Sequence, residues 1–354
     1  METINSYIDA AKNTIAENLG GPAHSLADKK NQFSLEEVPD MSGKVAVVTG
    51  GSEGIGFGCS HTLLTKNISK LFIITRREEK GEEAVKAIEE EFGPGAAKKV
   101  VVKACDLSDW TATAKTANEI ASETDKIHVL INNAGRGIMT RQLAPANGID
   151  LHMAANVFGH VVFTSHLLPT LKATADKADK GDYVRIVNLA SNAHQNAPED
   201  VKFASVEEIN KDYGPMAQYG RSKLGDLLYA KWLNAHLKSS HPNILVNASH
   251  PGVVDTAQTN DYIHEPYPIL GFGMSVGLKA FRKDQFMGCV STMYCATAAT
   301  QGGQYVCPPA IVEEGSPKAN DMALADQLMK ITKEIVEEKT RSESSAKGCP
   351  FKMA

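Results

Sequence analysis

From residue 44 to about residue 307, short runs of β-branched and aliphatic residues alternate with longer stretches of helical periodicity, and few folds admit that alternation. Strand, helix and strand in succession build a parallel sheet covered on both faces. The expected class is therefore α/β, a single doubly wound domain around a parallel sheet of about seven strands. The strand candidates are Lys44 to Thr49, Lys70 to Thr75, Lys99 to Ala104, Lys126 to Asn132, Asp182 to Leu189, Asn243 to Ser249 and Gln304 to Cys307. Helical stretches fall near 55–66, 78–92, 109–123, 148–173, 217–239 and 319–338. No repeat of 20 to 50 residues interrupts this order.

The sequence divides into an arm over residues 1–40, a main domain over 41–340 and a polar tail over 341–354. In the arm, Ile4, Ile8, Ala11, Ile15 and Leu19 recur at near-helical spacing before the breaker Gly20-Gly21-Pro22. This predicts an amphipathic helical arm that docks on the main domain, or touches a membrane or a partner. A mitochondrial presequence is Arg-rich and acid-poor, whereas here Glu2, Asp9 and Glu17 are present and the first arginine is Arg76. No run reaches the ~18 apolar residues a membrane span needs, so no transmembrane anchor is expected.

A formal charge of −5 without a basic block argues against a nucleic-acid partner. The six cysteines (Cys59, Cys105, Cys289, Cys295, Cys307 and Cys349) form no Cys-x-x-Cys pair, which points to a reducing compartment. The location read from this is cytoplasmic, with mitochondrial or membrane-peripheral as the alternative. His152, His160 and His166 share one predicted helix at gaps of eight and six, so no i,i+4 ligand pair forms and no metal site is expected.

Directly after the first strand comes Thr49-Gly50-Gly51-Ser52-Glu53-Gly54-Ile55-Gly56, with a helical pattern opening at Ile55. Gly50 lets the chain leave the strand sharply, and Gly54 and Gly56 remove side chains where backbone must approach a pyrophosphate at a helix N-terminus. The spacing Gly-x-x-x-Gly-x-Gly makes a longer turn than the commoner Rossmann fingerprint. Twenty residues beyond Gly56, where an NAD-binding chain presents an acid, stands Arg76, followed by Arg77. A guanidinium there pairs with a 2′-phosphate, which favours NADP(H) over NAD(H); the alternative is a solvated Arg with Glu78 or Glu79 on the ribose. Asp106, after the third strand, is placed either to meet the adenine amino group or to cap the helix that starts near Asp109.

Tyr219 and Lys223 stand four residues apart within a helical stretch, on one face. An ammonium beside a phenol stabilises the phenolate and makes the phenol a usable acid/base. Together with Asn132-Asn133-Ala134-Gly135, Asn156, Ser191 and His250-Pro251-Gly252 in this order, the chain resembles a short-chain dehydrogenase/reductase over roughly residues 43 to 310. The segments Asn188 to His194 and Asn156 to His160 resemble most the retinol dehydrogenase and WW-domain oxidoreductase branch.

The resemblance implies a catalytic set of Ser191, Tyr219, Lys223 and Asn156. It adds Gly50, Ser52, Glu53, Gly54, Ile55, Gly56, Arg76, Asp106, Asn133, Ala134, Gly135, Pro251, Gly252, Val254 and Thr256, with Tyr219 and Lys223, as cofactor contacts. Tyr219 stands 28 positions after Ser191, and the insert Asn192 to Gln218 is expected to wall the substrate pocket. The charge-free Pro266 to Leu278 reads as a lid over an apolar substrate, as core packing or as a membrane-facing patch.

The implied activity is hydride transfer between NADP(H) and a carbonyl or alcohol of a lipophilic small molecule. Retinoid-like compounds, steroids, fatty aldehydes and secondary-metabolite intermediates all suit it. A catalytically silent nucleotide-sensing scaffold and an epimerase or dehydratase of the same fold are the alternatives. Family members pair through the helices near 148–173 and 217–239, which implies a homodimer or homotetramer unless the arm covers that face.

Overall fold

The computed structural model describes residues 27–28, 31–252 and 285–339. One sheet of eight strands organises them, in the order β3-β2-β1-β4-β5-β6-β7-β8. The strands are β1 Val45–Thr49, β2 Lys70–Thr75, β3 Val100–Ala104, β4 Val129–Asn132, β5 Val184–Leu189, β6 Ile244–Ser249, β7 Tyr305–Cys307 and β8 Ile311–Glu313. The first seven are parallel, as expected. β8 folds back antiparallel on β7, with Cys307 opposite Ile311, and adds one strand to the expected count.

Alternation along the strands assigns the two faces. Val45 and Val47 enter one core with Phe72, Ile74, Leu130 and Ile186, while Ala46 and Val48 enter the other with Leu71, Ile73, Ile131 and Val187. Such two-sided burial is why these strands read as continuous apolar runs. Helices α1 Gly54–Thr65, α2 Glu78–Phe92 and α6 Gln285–Met293 cover the second face through Cys59, Leu63, Ile88, Cys289 and Met293. On the first face lie α3 Trp110–Glu123, α4 His160–Asp176, α5 Pro215–Leu237 and α7 Met322–Lys339. A π-helical turn, Met153–Gly159, leads into α4 where the sequence pattern predicts unbroken helix.

The part of the arm that is described docks on this body. Phe33 and Val38 are buried, Phe33 meets the Tyr294 ring edge-on at 5.4 Å, and the Lys66 ammonium donates to the Glu36 carbonyl at 2.6 Å. The predicted helix before Gly20, the segment Pro266 to Leu278 and the polar tail lie outside the described residues. Among the described residues no helix is long and apolar enough to cross a membrane.

In this strand order the chain reverses direction across the sheet between β1 and β4. In an open α/β sheet, ligands bind at the crevice that such a reversal opens at the carboxyl ends of the strands.

Candidate active site

The expected glycine turn sits at that crevice. Gly50 has φ +63° and donates to the Ile74 carbonyl at 2.7 Å, which turns the chain off β1. A Cβ on Gly56 would lie 2.1 Å from the Gly50 carbonyl oxygen and 2.4 Å from Asn133 Nδ2, so backbone meets backbone there. Asn133 ties the turn to the end of β4, donating from Nδ2 to the Thr49 and Gly50 carbonyls at 2.8 and 3.2 Å. Thr49 Oγ1 accepts from the Asn133 and Ala134 amides at 2.9 and 3.0 Å. Helix α1 begins without a side-chain cap on its first amides, a cradle that fits a pyrophosphate.

The two arginines after β2 part company. Arg77 reaches Glu53 with its guanidinium at 3.0 Å, both groups half exposed. Arg76 is exposed and has no ion-pair partner among the described residues. Ser52 Oγ donates to Thr75 Oγ1 at 3.0 Å, and Ile55 packs half-buried against the second core. Asp106 is exposed and its Oδ1 accepts from the Ser108 amide and hydroxyl at 2.9 and 2.8 Å; the cap of α3 is Asp109, which accepts from the Ala112 amide. Asp106 therefore closes its own loop. Pro251 and Gly252 follow β6, half-buried, with Gly252 at φ +78°. Val254 and Thr256 lie outside the described residues.

Helix α5 brings the four expected catalytic residues together, and two glycines set how close it comes. At Gly220 a Cβ would lie 2.6 Å from the Ala193 carbonyl oxygen, so the helix rests directly on the 3-10 turn Asn192–Asn196 that Ser191 caps. At Gly225 it would lie 2.8 Å from a Val157 methyl, so the same helix rests on the π-helical turn that carries Asn156. Ser191 is nearly buried and its Oγ accepts from the Ala193 amide at 3.1 Å, which leaves its hydroxyl proton to be donated elsewhere. Asn156 Oδ1 accepts from the Arg136 amide at 2.7 Å and its Nδ2 donates to Ser222 Oγ at 2.9 Å. A Cβ on Gly135 would stand 3.4 Å from Asn156 Oδ1 and 3.6 Å from Lys223 Nζ, which places the Asn132–Gly135 segment beside both.

Lys223 Nζ lies 5.8 Å from the Tyr219 ring centroid and is buried. It donates to the Leu189 carbonyl at 2.7 Å and to Asp226 Oδ2 at 2.9 Å. Burial disfavours its charge, but the Asp226 carboxylate and the Tyr219 phenolate outweigh that, and its pKa stands above the ordinary lysine value. Asp226 is pushed up to about 6 by burial, against the pull of Lys223. Behind them His160, pushed down to about 4 by burial, bridges Thr49 Oγ1 at 2.8 Å and the Asn156 carbonyl at 2.7 Å. A carbonyl only accepts, so Nδ1 carries the proton and Nε2 accepts from Thr49.

Two groups escape the sequence reading. Asp226 shares α5 with Lys223, and a carboxylate inside Leu224-Gly225-Asp226-Leu227-Leu228 was the available signal. The other is the fully buried Arg221, whose guanidinium donates to the Glu208 and Ile209 carbonyls at 2.8 and 2.7 Å and lies 3.5 Å from Asp150. Gln218 also donates to Asp150, at 2.7 Å. These bonds hold the insert Asn192 to Gln218 from beneath, and Lys318 clamps it through the Pro198 and Glu199 carbonyls at 2.7 and 2.6 Å.

Comparison with known proteins agrees with this geometry. The short chain dehydrogenase family model matches residues 44–266. The chain is 48% identical over 355 residues to bli-4 of Neurospora crassa, named as a mitochondrial oxidoreductase, covering 99% of this chain and 85% of that one. It is 31% identical over 277 residues to the polyprenol dehydrogenase of Danio rerio, covering 77% and 79%. Among solved structures, the Pseudomonas aeruginosa RhlG/NADP active-site complex superposes with a TM-score of 0.56 at 23% identity, over 75% of this chain and 94% of that one. The chain belongs to the short-chain dehydrogenase/reductase family and is an oxidoreductase that works with a nicotinamide cofactor.

Proposed function

We propose that the protein is an NADP(H)-dependent carbonyl reductase or alcohol dehydrogenase acting on a lipophilic small molecule. The observation that carries this reading is the buried Lys223 ammonium beside Tyr219, on a helix held by glycine contacts against both the Ser191 turn and the Asn156 turn. When bound, the nicotinamide supplies or takes up the hydride. Tyr219 then gives a proton to the carbonyl oxygen, or takes one from the alcohol. Lys223 stabilises the phenolate and has a third N–H for the cofactor ribose. The Ser191 hydroxyl donates to the oxygen on which charge develops, and Asn156 keeps the π-helical turn against Ser222 and Arg136.

NADP(H) is favoured because the guanidinium of Arg76 stands exposed at the end of β2 while Glu53 is taken by Arg77; the NADP in the RhlG complex agrees. A lipophilic substrate is supported by the name of the Danio rerio relative. The remaining cofactor contacts, including Asp106, Val254 and Thr256, belong to the same proposal. For location we favour mitochondria over the cytoplasm, because the similarity to the Neurospora crassa protein runs over 99% of this chain; the acidic residues of the arm argue the other way. Assembly into a homodimer or homotetramer would have to use what α7 leaves uncovered of α5, since Leu328 packs at Gly225.

Tyr219→Phe tests the mechanism. It keeps the ring and deletes the proton, so turnover of aldehydes or ketones, followed at the reduced-nicotinamide absorbance band, should fall ~10²- to 10⁴-fold with NADPH affinity nearly unchanged. Retention of most of the activity would end the assignment.

A further inference from the structure

We propose that Asp226 is a positioning residue that sets how strongly Lys223 acts on Tyr219, by holding the ammonium in a buried ion pair and cancelling part of its field. This rests on the reading of Tyr219 as the acid/base. The Lys223–Asp226 pair is 2.9 Å long, with the two side chains 5% and 6% exposed. Both lie on the helix that carries Tyr219, three residues apart, and the Leu189 carbonyl at 2.7 Å fixes the ammonium from the strand side. Two of its three N–H groups are thereby committed to protein acceptors, and the one left defines the direction in which it can reach a ribose.

The electrostatic consequence follows from the distances. An isolated ammonium, itself buried, 5.8 Å from the phenol ring would stabilise the phenolate. A carboxylate 2.9 Å behind the ammonium turns that point charge into a short dipole, whose effect on Tyr219 is weaker. In exchange the carboxylate keeps the buried lysine charged, in line with its raised pKa. Burial pushes Asp226 up to about 6, and the attenuation fades as it takes up a proton. Among the described residues, the titratable groups that interact with the pair are Tyr219 on α5 and His160 on α4, and Tyr229 follows Asp226 by three residues along α5. Burial keeps His160 neutral down to about pH 4 and Tyr229 protonated, its Oη bonded to Thr164, so neither titrates alongside Asp226.

The test is the pH–rate profile of the full chain with saturating NADPH and one aldehyde or ketone that it turns over. The proteins compared are the wild type, Asp226→Asn, Asp226→Ser, Asp226→Glu and Tyr219→Phe. Asn keeps an oxygen for Lys223 at the same reach without the charge; Ser is smaller, admits water, and carries the test should the amide variant not fold. Thermal unfolding and NADPH fluorescence titration accompany each profile. The neutral variants are expected to bind NADPH within about threefold of wild type. The inflection that belongs to Tyr219 should move to lower pH by roughly 0.5 to 1.5, the Coulomb effect of one charge at about 8 Å with an effective dielectric of about 20 to 40. Asp226→Glu should return it toward the wild-type position. An inflection that stays in place or moves to higher pH in a neutral variant that still binds NADPH overturns the proposal and leaves the acid/base reading standing. Wild-type turnover in Tyr219→Phe overturns that reading itself.

Discussion

Gly220→Ala separates the geometry of catalysis from the chemistry of its residues, because it alters no functional group. The new methyl would sit 2.6 Å from the Ala193 carbonyl oxygen and 2.9 Å from both the Ala197 nitrogen and the Asn196 carbonyl carbon, all backbone atoms. Ordinary contact begins at 3.4 Å, so the helix and the turn must part by roughly 0.8 Å at that point. That displacement falls between Tyr219, one residue before, and Ser191, the cap of the turn. Misplacement on the order of 1 Å can cost about 10²-fold in rate, and a loss of that size is expected in turnover. Stability should fall by up to about 2 kcal/mol: overpacking costs about 1 to 3 kcal/mol, and alanine recovers about 1 kcal/mol of helix propensity over glycine. NADPH affinity should hold, because the Gly220 contact is to Ala193, Asn196 and Ala197 and not to the Gly50–Gly56 turn or Arg76. Gly225→Ala is the comparison at the opposite turn: its methyl presses on the Val157 side chain, at 2.8 Å, and not on backbone, so it should lose less than Gly220→Ala. Turnover, NADPH titration and thermal unfolding of both variants decide the matter. Wild-type turnover in Gly220→Ala, or an equal loss in both, would refute the claim that this contact positions Tyr219.

Arg76→Asp should narrow or invert the preference for NADPH over NADH, by about 1 to 3 kcal/mol for a lost charge-assisted phosphate contact; equal affinities for the two cofactors in the wild type would already defeat the assignment. His160 makes acid stability testable. Its folded-state pKa of about 4 lies below the ordinary 6.5, so its contribution is fully present above about pH 6.5 and is lost as pH falls toward 4, at most about 3 kcal/mol. His128, also pushed down to about 4 by burial, adds in the same direction, while Asp226 with its raised value opposes both. Urea unfolding of His160→Asn between pH 7 and 4 should therefore show a flatter acid limb than wild type, and an unchanged limb would count against the buried neutral imidazole.

Much of this architecture was legible because it rests on local pattern. The seven parallel strands begin within three residues of their expected starts, since strands buried on both faces leave long aliphatic runs. Gly56 and the Tyr219–Lys223 pair were legible for another reason: the chemistry demands a particular residue type at a particular spacing. β8 was not legible, because three residues after Pro308-Pro309 carry no periodicity of their own. The π-helical turn at Met153–Gly159 hides inside an apolar stretch that a regular helix would also satisfy. Arg221 was legible as a charge in a helix, but its partner Asp150 lies 71 positions away and only the fold joins them. Of the two roles expected of Asp106, the helix cap falls to Asp109, and Asp106 accepts from Ser108 in its own turn, which local hydrogen bonding makes as readily as a helix cap.

Helix α5 also shows why amphipathic reasoning has little to say about this active site. Between residues 218 and 226 nearly every position faces a different partner. Gln218 and Arg221 hold Asp150 and the insert, Gly220 meets the Ser191 turn, Ser222 and Gly225 meet the Asn156 turn, and Tyr219, Lys223 and Asp226 share the remaining stripe. With α7 packed on it as well, every residue from Gly220 to Ala230 is buried, and a helical stretch buried all round has no polar face to mark its orientation. Its orientation is set instead by small residues and buried polar bonds. Each of these also fixes the distance from Tyr219 to Ser191 or from Lys223 to Asn156, so substitutions on any side of α5 are expected to reach the reaction through position before they reach it through stability.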